Sequence, residues 1–159
     1  MKLHASKPIR PRTTSSGIRT LLVDDCPIML KTLAAIIAQE PDFDIVGTAT
    51  DGRKAVLAAA TLAPELVVMD LRLPHLNGAQ ATRCLKQFDD PPVVFIVTSD
   101  DTPSARNLSA TAGADAFVVA SGDLHAQLHL KLHEWFGPNT GHAHTPTPTD
   151  ERISHAKEP

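Results

Sequence analysis

Five short runs of aliphatic and β-branched residues recur along the middle of this chain, about every 24 residues, each followed by a helix-forming stretch. The predicted strands are Thr20–Asp24, Phe43–Ala49, Leu66–Asp70, Val93–Thr98 and Ala116–Val119. The first, third and fourth are nearly continuous apolar runs, as in parallel strands covered on both faces. The predicted helices are Pro27–Gln39, Arg53–Leu62, Ala79–Phe88 and Ser104–Ala112, with Asp123–Phe136 last. Pro27 suits a first helical turn, and Gly113 stands where a helix stops. This alternation predicts an α/β fold: a five-stranded parallel sheet, doubly wound through right-handed crossovers, with helices on both faces. It is not the spacing of a β-sandwich. No run of 18 apolar residues exists, so no membrane-spanning helix is expected.

The two ends differ from this middle. Residues 1–18 carry Lys2, Lys7, Arg10 and Arg12, no acid, and the helix breakers Pro8 and Pro11. Residues 137–159 are rich in Thr and Pro, with His142, His144 and His155. Neither can bury enough apolar surface to offset its ordering entropy, so both are expected to be disordered. That leaves one domain over 19–136, and no DNA-binding output module is expected in so short a tail. Outside the domain lie six of the 15 Lys and Arg but only three of the 18 Asp and Glu. The acids therefore belong to the folded part, and direct nucleic-acid binding is not expected. Cys26 and Cys84 are too few for a disulfide scaffold and have no CxxC spacing. They suit a reducing, cytoplasmic compartment and are read as small apolar core residues.

Sites on doubly wound sheets lie beyond the carboxyl ends of the strands. Strand one ends in Asp24-Asp25, strand three in Asp70, strand four in Thr98-Ser99 and strand five in Val119-Ala120. Three carboxylates thus converge on one rim. Their mutual repulsion is relieved by a cation, and an oxygen-only donor set suits Mg²⁺ better than Zn²⁺. A carboxylate beside Mg²⁺ and a hydroxyl is a candidate nucleophile toward a phosphoryl group.

Four motifs in order then resemble the receiver domain of bacterial response regulators over essentially all of 19–136. LLVDD (Leu21 to Asp25) resembles its first strand and acidic pair. LVVMDLRLPHLNG (Leu66 to Gly78) resembles its phosphorylation loop, with Asp70, Pro74 and Gly78 at the family spacing. VVFIVTSDD and GADAFVV resemble its fourth and fifth strands. The resemblance implies a flavodoxin-like sheet of strand order 2-1-3-4-5 and a phosphoryl-accepting, non-enzymatic switch. It implies that Asp70 takes a phosphoryl group from a sensor histidine kinase or histidine phosphotransfer protein. It implies Mg²⁺ held by Asp24, Asp25, Asp70 and the backbone carbonyl of Arg72. Thr98 would bond the phosphoryl oxygen, and Phe117 would be the aromatic switch, though an apolar strand wants a core residue there anyway. Output would pass to a downstream protein target, from a monomer or weak homodimer. The family's usual Lys, three residues past the aromatic, is Ala120 here. That departure keeps a second reading open: an interaction module that works without phosphorylation.

Arg72, Ser99 and Asp100 flank the rim. Arg72 and Asp100 are read either as tuning phosphate lifetime or as a solvated pair. His125, His129 and His133 fall at i, i+4, i+8 on the last helix, a spacing that can chelate a metal. Leu124, Leu128, Leu132 and Trp135 form the apolar stripe beside them, so the His row is read as its solvated margin.

Overall fold

The computed structural model describes residues 17–137. Its elements alternate along the chain. They are β1 (Ile18–Val23), α1 (Pro27–Ile37), β2 (Phe43–Ala49), α2 (Gly52–Leu62), β3 (Leu66–Met69) and α3 (Gly78–Leu85). β4 (Val93–Thr98), α4 (Pro103–Ala112), β5 (Ala116–Val119) and α5 (Leu124–Phe136) follow. All strand pairs are parallel, in the flavodoxin-like order β2-β1-β3-β4-β5. Residues 1–16 and 138–159, which make up nearly all of the two expected disordered ends, lie outside the described residues.

Side chains alternate across the sheet and build two cores. Leu21, Val23, Val67, Met69, Val94 and Ile96 point to one face, where Ala55, Ala59, Ala79, Leu85 and Ala105 of α2, α3 and α4 cover them. Leu22, Leu66, Val68, Phe95 and Val97 point to the other, against Leu33, Ile37, Leu128 and Leu132 of α1 and α5. Leu33, Leu128 and Leu132 are fully buried, each contributing roughly 1.5–3 kcal/mol of transfer free energy. Small residues on α2–α4 let three helices share one face, while two larger-faced helices cover the other.

The element ends differ from expectation where tight turns intervene. β1 starts earlier, at Ile18, whose amide donates to the Asp42 carbonyl at 2.6 Å. β1 and β3 stop one residue short of Asp24 and Asp70, which leaves both aspartates in the loops. α3 ends at Leu85 because Gln87 and Phe88 bond three residues back, to Cys84 and Leu85, rather than four. Among the described residues, no helix is long and apolar enough to cross a membrane.

Candidate functional site

Register brings the acids together. Val23 of β1 lies opposite Met69 of β3, so the next residues on these strands, Asp24 and Asp70, leave the sheet side by side. The Asp70 amide donates to the Val23 carbonyl at 2.9 Å, and the Asp24 amide to the Ala49 carbonyl at 3.1 Å. The Asp24 carboxylate accepts from the Cys26 amide at 2.8 Å, a turn that starts α1 and carries Asp25 outward. One oxygen each of Asp24 (buried), Asp25 (exposed) and Asp70 (half-buried) lie within 4.8 Å of one another.

The electrostatics match this crowding. Burial pushes the Asp24 carboxyl up; the Cys26 amide pulls it down, and the charges of Asp70 and Asp25 push it up again. Burial likewise pushes Asp70 up, against hydrogen bonds from the Arg72 amide, the Thr98 hydroxyl and the Leu71 amide. Two carboxyls held above their ordinary range are groups whose ionised forms lack a counter-charge. An octahedral Mg²⁺ with bonds of about 2.0–2.1 Å spans about 2.9 Å along a cis edge and about 4.2 Å across, within the spread of these oxygens. The donor set therefore fits a hard divalent ion.

Thr98 ends β4, is buried, and accepts from the Asp100 amide at 3.3 Å through its hydroxyl. Ser99 beside it is exposed. Thr98 lies opposite Val119 in the β4–β5 ladder, and the next amide, that of Ala120, donates to the Thr98 carbonyl at 2.8 Å. Residue 120 is thus half-buried at the rim beside the threonine, and carries a methyl group there. The lysines nearest in sequence are engaged elsewhere. Lys86 pairs with Asp115 at the amino end of β5, and Lys131 pairs with Glu134 at 2.7 Å on α5.

The loop after β3 is held tightly. Leu71 and Leu73 are buried while Arg72 is exposed between them. The Gly78 amide closes the loop on the Leu71 carbonyl at 2.9 Å. A Cβ at Gly78 would stand 2.2 Å from the Asp70 carbonyl oxygen, so only glycine fits. Asn77 and Gln80 form a reciprocal capping box that starts α3. Arg72 and Asp100 form an ion pair at 2.5 Å that clasps this loop to the β4–α4 loop. Hydrogen bonding from Thr102 and then Arg72 holds the Asp100 carboxyl below its usual range. Phe117 is half-buried against the α2–α4 core, with the Arg106 guanidinium 4.8 Å above its ring centroid.

Two expectations need correction. Cys26 is not a core residue: it is exposed at the start of α1, on the acidic rim, and Cys84 is only partly buried. The histidine row is not a plain solvated margin. His129 Nδ1 lies 2.5 Å and His133 Nε2 3.1 Å from the two carboxylate oxygens of Glu40, which is 5% exposed. Burial pushes the Glu40 carboxyl up, and the hydrogen bonds from His129 and His133 outweigh it, leaving a net lowering. Glu40 is 89 residues from His129, so no local spacing signals this contact. Arg72 and Asp100, by contrast, are named from sequence as a candidate pair at the rim, and the structure shows them paired; the Glu40 contact has no such signal.

Residues 20–128 match the family described as response regulator receiver domain. Among curated relatives, protein-glutamate methylesterase/protein-glutamine glutaminase 2 of Methanospirillum hungatei is 34% identical over 102 residues, 64% of this chain but 29% of that protein. The solved response regulator domain of Thermotoga maritima CheB superposes with a TM-score of 0.69 at 28% identity, covering 79% of this chain and 100% of that one. The receiver domain of a Pseudomonas aeruginosa sensor histidine kinase, solved with magnesium coordinated in its active-site cleft, gives 0.67 at 25% identity, over 77% and 100%. With the sequence match running from β1 into α5 and the sheet wound in the same order as those domains, this chain belongs to the response regulator receiver domain family.

Proposed function

We propose that this protein is a phosphoryl-accepting switch of a two-component or phosphorelay system, with Asp70 as the acceptor. The observation that carries the reading is the trio of carboxylates, Asp24, Asp25 and Asp70, gathered within 4.8 Å at the carboxyl ends of adjacent parallel strands. Asp24, Asp25, Asp70 and the Arg72 carbonyl would hold Mg²⁺, which when bound supplies positive charge against the acids and an incoming phosphoryl group. A relative of the same fold carries magnesium in its active-site cleft, which supports this.

In the transfer, an Asp70 oxygen attacks the phosphorus of a phosphohistidine on a sensor histidine kinase or phosphotransfer protein. The P–N bond breaks and the released imidazole nitrogen takes up a proton. Asp25, exposed, and Cys26 leave the rim open for such a donor. Thr98 then bonds a phosphoryl oxygen. The β4–β5 ladder links that movement to Phe117, two residues before Val119, and so to the surface that a downstream protein target reads. The methylesterase activity in the relative's name forms no part of this reading, because the match covers 29% of that protein.

Borohydride reduction after phosphorylation tests the acceptor. Reduction of an aspartyl phosphate yields homoserine, and peptide mass analysis is expected to find it at position 70 alone. Homoserine at another aspartate would remove Asp70 from the role. Ala120 supports the second reading, an interaction module independent of phosphorylation, and complete absence of homoserine would favour it.

A further inference from the structure

Away from the acidic rim, where α5 crosses the turn between α1 and β2, one carboxylate sits in an unusual setting. Glu40 is 5% exposed, yet its partners among the described residues are two imidazoles and no Lys or Arg. Both histidines reach solvent on their outer edges, with side-chain exposures of 51% and 39%. One ring nitrogen each of His129 and His133 and one Glu40 oxygen all lie within 4.8 Å of one another. His129 and His133 are one helical turn apart, with ring centroids 4.3 Å apart, and His125 continues the row with its centroid 6.3 Å from that of His129.

We propose that Glu40, His129 and His133 form a transition-metal site, taking Zn²⁺ or a similar borderline divalent ion. The donor set of two imidazole nitrogens and one carboxylate oxygen, with a fourth position open to solvent, is one that zinc accepts and Mg²⁺ does not. The geometry needs little change. A tetrahedral ion with bonds of about 2.0–2.1 Å sets its ligand atoms about 3.3 Å apart. His129 Nδ1 and His133 Nε2 stand 2.5 and 3.1 Å from different Glu40 oxygens, Oε1 and Oε2. One donor atom of each residue lies within 4.8 Å of the others, so rotation of the two half-exposed imidazoles sets both nitrogens at tetrahedral spacing from one of those oxygens. His129 would coordinate through Nδ1 and carry its proton on Nε2; His133 would do the reverse. An ion here ties α5 to the α1–β2 turn, elements that meet the sheet on the face opposite α2–α4.

The two imidazole donors distinguish this site from the carboxylate rim, which excess Mg²⁺ keeps occupied, so loss of zinc binding on removing His129 and His133 separates the two in one tube. Zn²⁺ titration of the full chain in excess Mg²⁺, followed by calorimetry, is expected to show one equivalent bound through this cluster. His129→Asn and His133→Asn are each expected to weaken that equivalent by at least about tenfold, and Glu40→Gln to do the same if it folds. The two histidine variants sit on a solvent-facing helix surface, so they keep the test open whatever becomes of Glu40. His142→Ala/His144→Ala provides the counter-test, since those residues offer competing imidazoles. Zinc binding that survives loss of His129 and His133, or that disappears with His142 and His144, overturns the proposal, as does no zinc binding at all. In-cluster coordination is read independently from imidazole NMR shifts confined to His129 and His133.

Discussion

Replacing Ala120 by Lys should restore a cation at the one place on the rim where this chain lacks it. Asp24, Asp25 and Asp70 bring three negative charges, and one Mg²⁺ returns two, so the site remains near −1 before a phosphoryl group arrives. Residue 120 is suitably placed: its amide donates to the Thr98 carbonyl at 2.8 Å, directly beside the hydroxyl expected to meet the phosphate. A unit charge at 4 Å contributes up to roughly 4 kcal/mol at an effective dielectric of ~20. Ala120 is half-buried beside the α1–α5 core, so desolvation of the ammonium takes back part of this. A hydrogen bond to a charged group typically nets about 1.5–3 kcal/mol, which corresponds to about 10–150-fold in affinity. The assay is beryllofluoride binding by calorimetry at fixed Mg²⁺, on wild type, Ala120→Lys and Ala120→Met. The methionine variant reproduces most of the added length without charge, and so separates packing from electrostatics. The expected order places Lys at least tenfold tighter than both others. Equal affinities for wild type and Ala120→Lys would refute the charge argument. They would point to another cation at the site, with Arg72, now paired with Asp100 at 2.5 Å, the first to test.

Gly78→Ala is expected to destabilise the fold by about 1–3 kcal/mol in urea denaturation, because the new Cβ meets the Asp70 carbonyl oxygen at 2.2 Å. Arg106→Ala removes the guanidinium above Phe117 and with it about 0.5–1 kcal/mol of cation–π attraction. If that contact holds the ring in its present position, beryllofluoride should shift the Phe117 NMR signals at about two- to fivefold lower concentration. The pH dependence follows from Asp24 and Asp70, both raised in the folded protein, chiefly by burial. Between the ordinary carboxylate value and the raised one, the folded state binds more protons than the unfolded state. Without metal, these two groups therefore make the protein more stable as pH falls through that window. Mg²⁺ competes with those protons, so the rise in melting temperature that it produces is expected to shrink over the same window.

Much of the sheet was legible because its central strands, β1, β3 and β4, are covered on both faces, which writes them as nearly continuous apolar runs. The half-exposed edge strand β2 shows instead in its β-branched residues and its place in the alternation. Val93–Thr98, Phe43–Ala49 and Ala116–Val119 stand as expected from sequence. The geometry of the acidic trio was legible for a related reason. In a parallel sheet, residues that end neighbouring strands emerge on one rim, so Asp24, Asp25, Asp70 and Thr98 needed no long-range information beyond strand order. Ends set by individual hydrogen bonds were not legible. Ile18 follows a Thr- and Ser-rich segment, and only its pairing across to Asp42 makes it strand. Cys26 was misplaced because its hydrophobicity says nothing of the turn at Asp24 that leaves it exposed. Glu40 looks like an ordinary polar residue at a helix end. What buries it is α5, which returns some 90 residues later to lay His129 and His133 across it.

The central claim is that Asp70 accepts a phosphoryl group, and intact-mass spectrometry tests it most directly. Wild type and Asp70→Ala are incubated with Mg²⁺ and a small acyl phosphate, and separately with a phosphorylated histidine donor. The account requires a single added phosphoryl group on the wild type, lost when Mg²⁺ is chelated and absent from Asp70→Ala. A wild type that gains no mass from either donor, or an Asp70→Ala variant that gains the same mass, would contradict it.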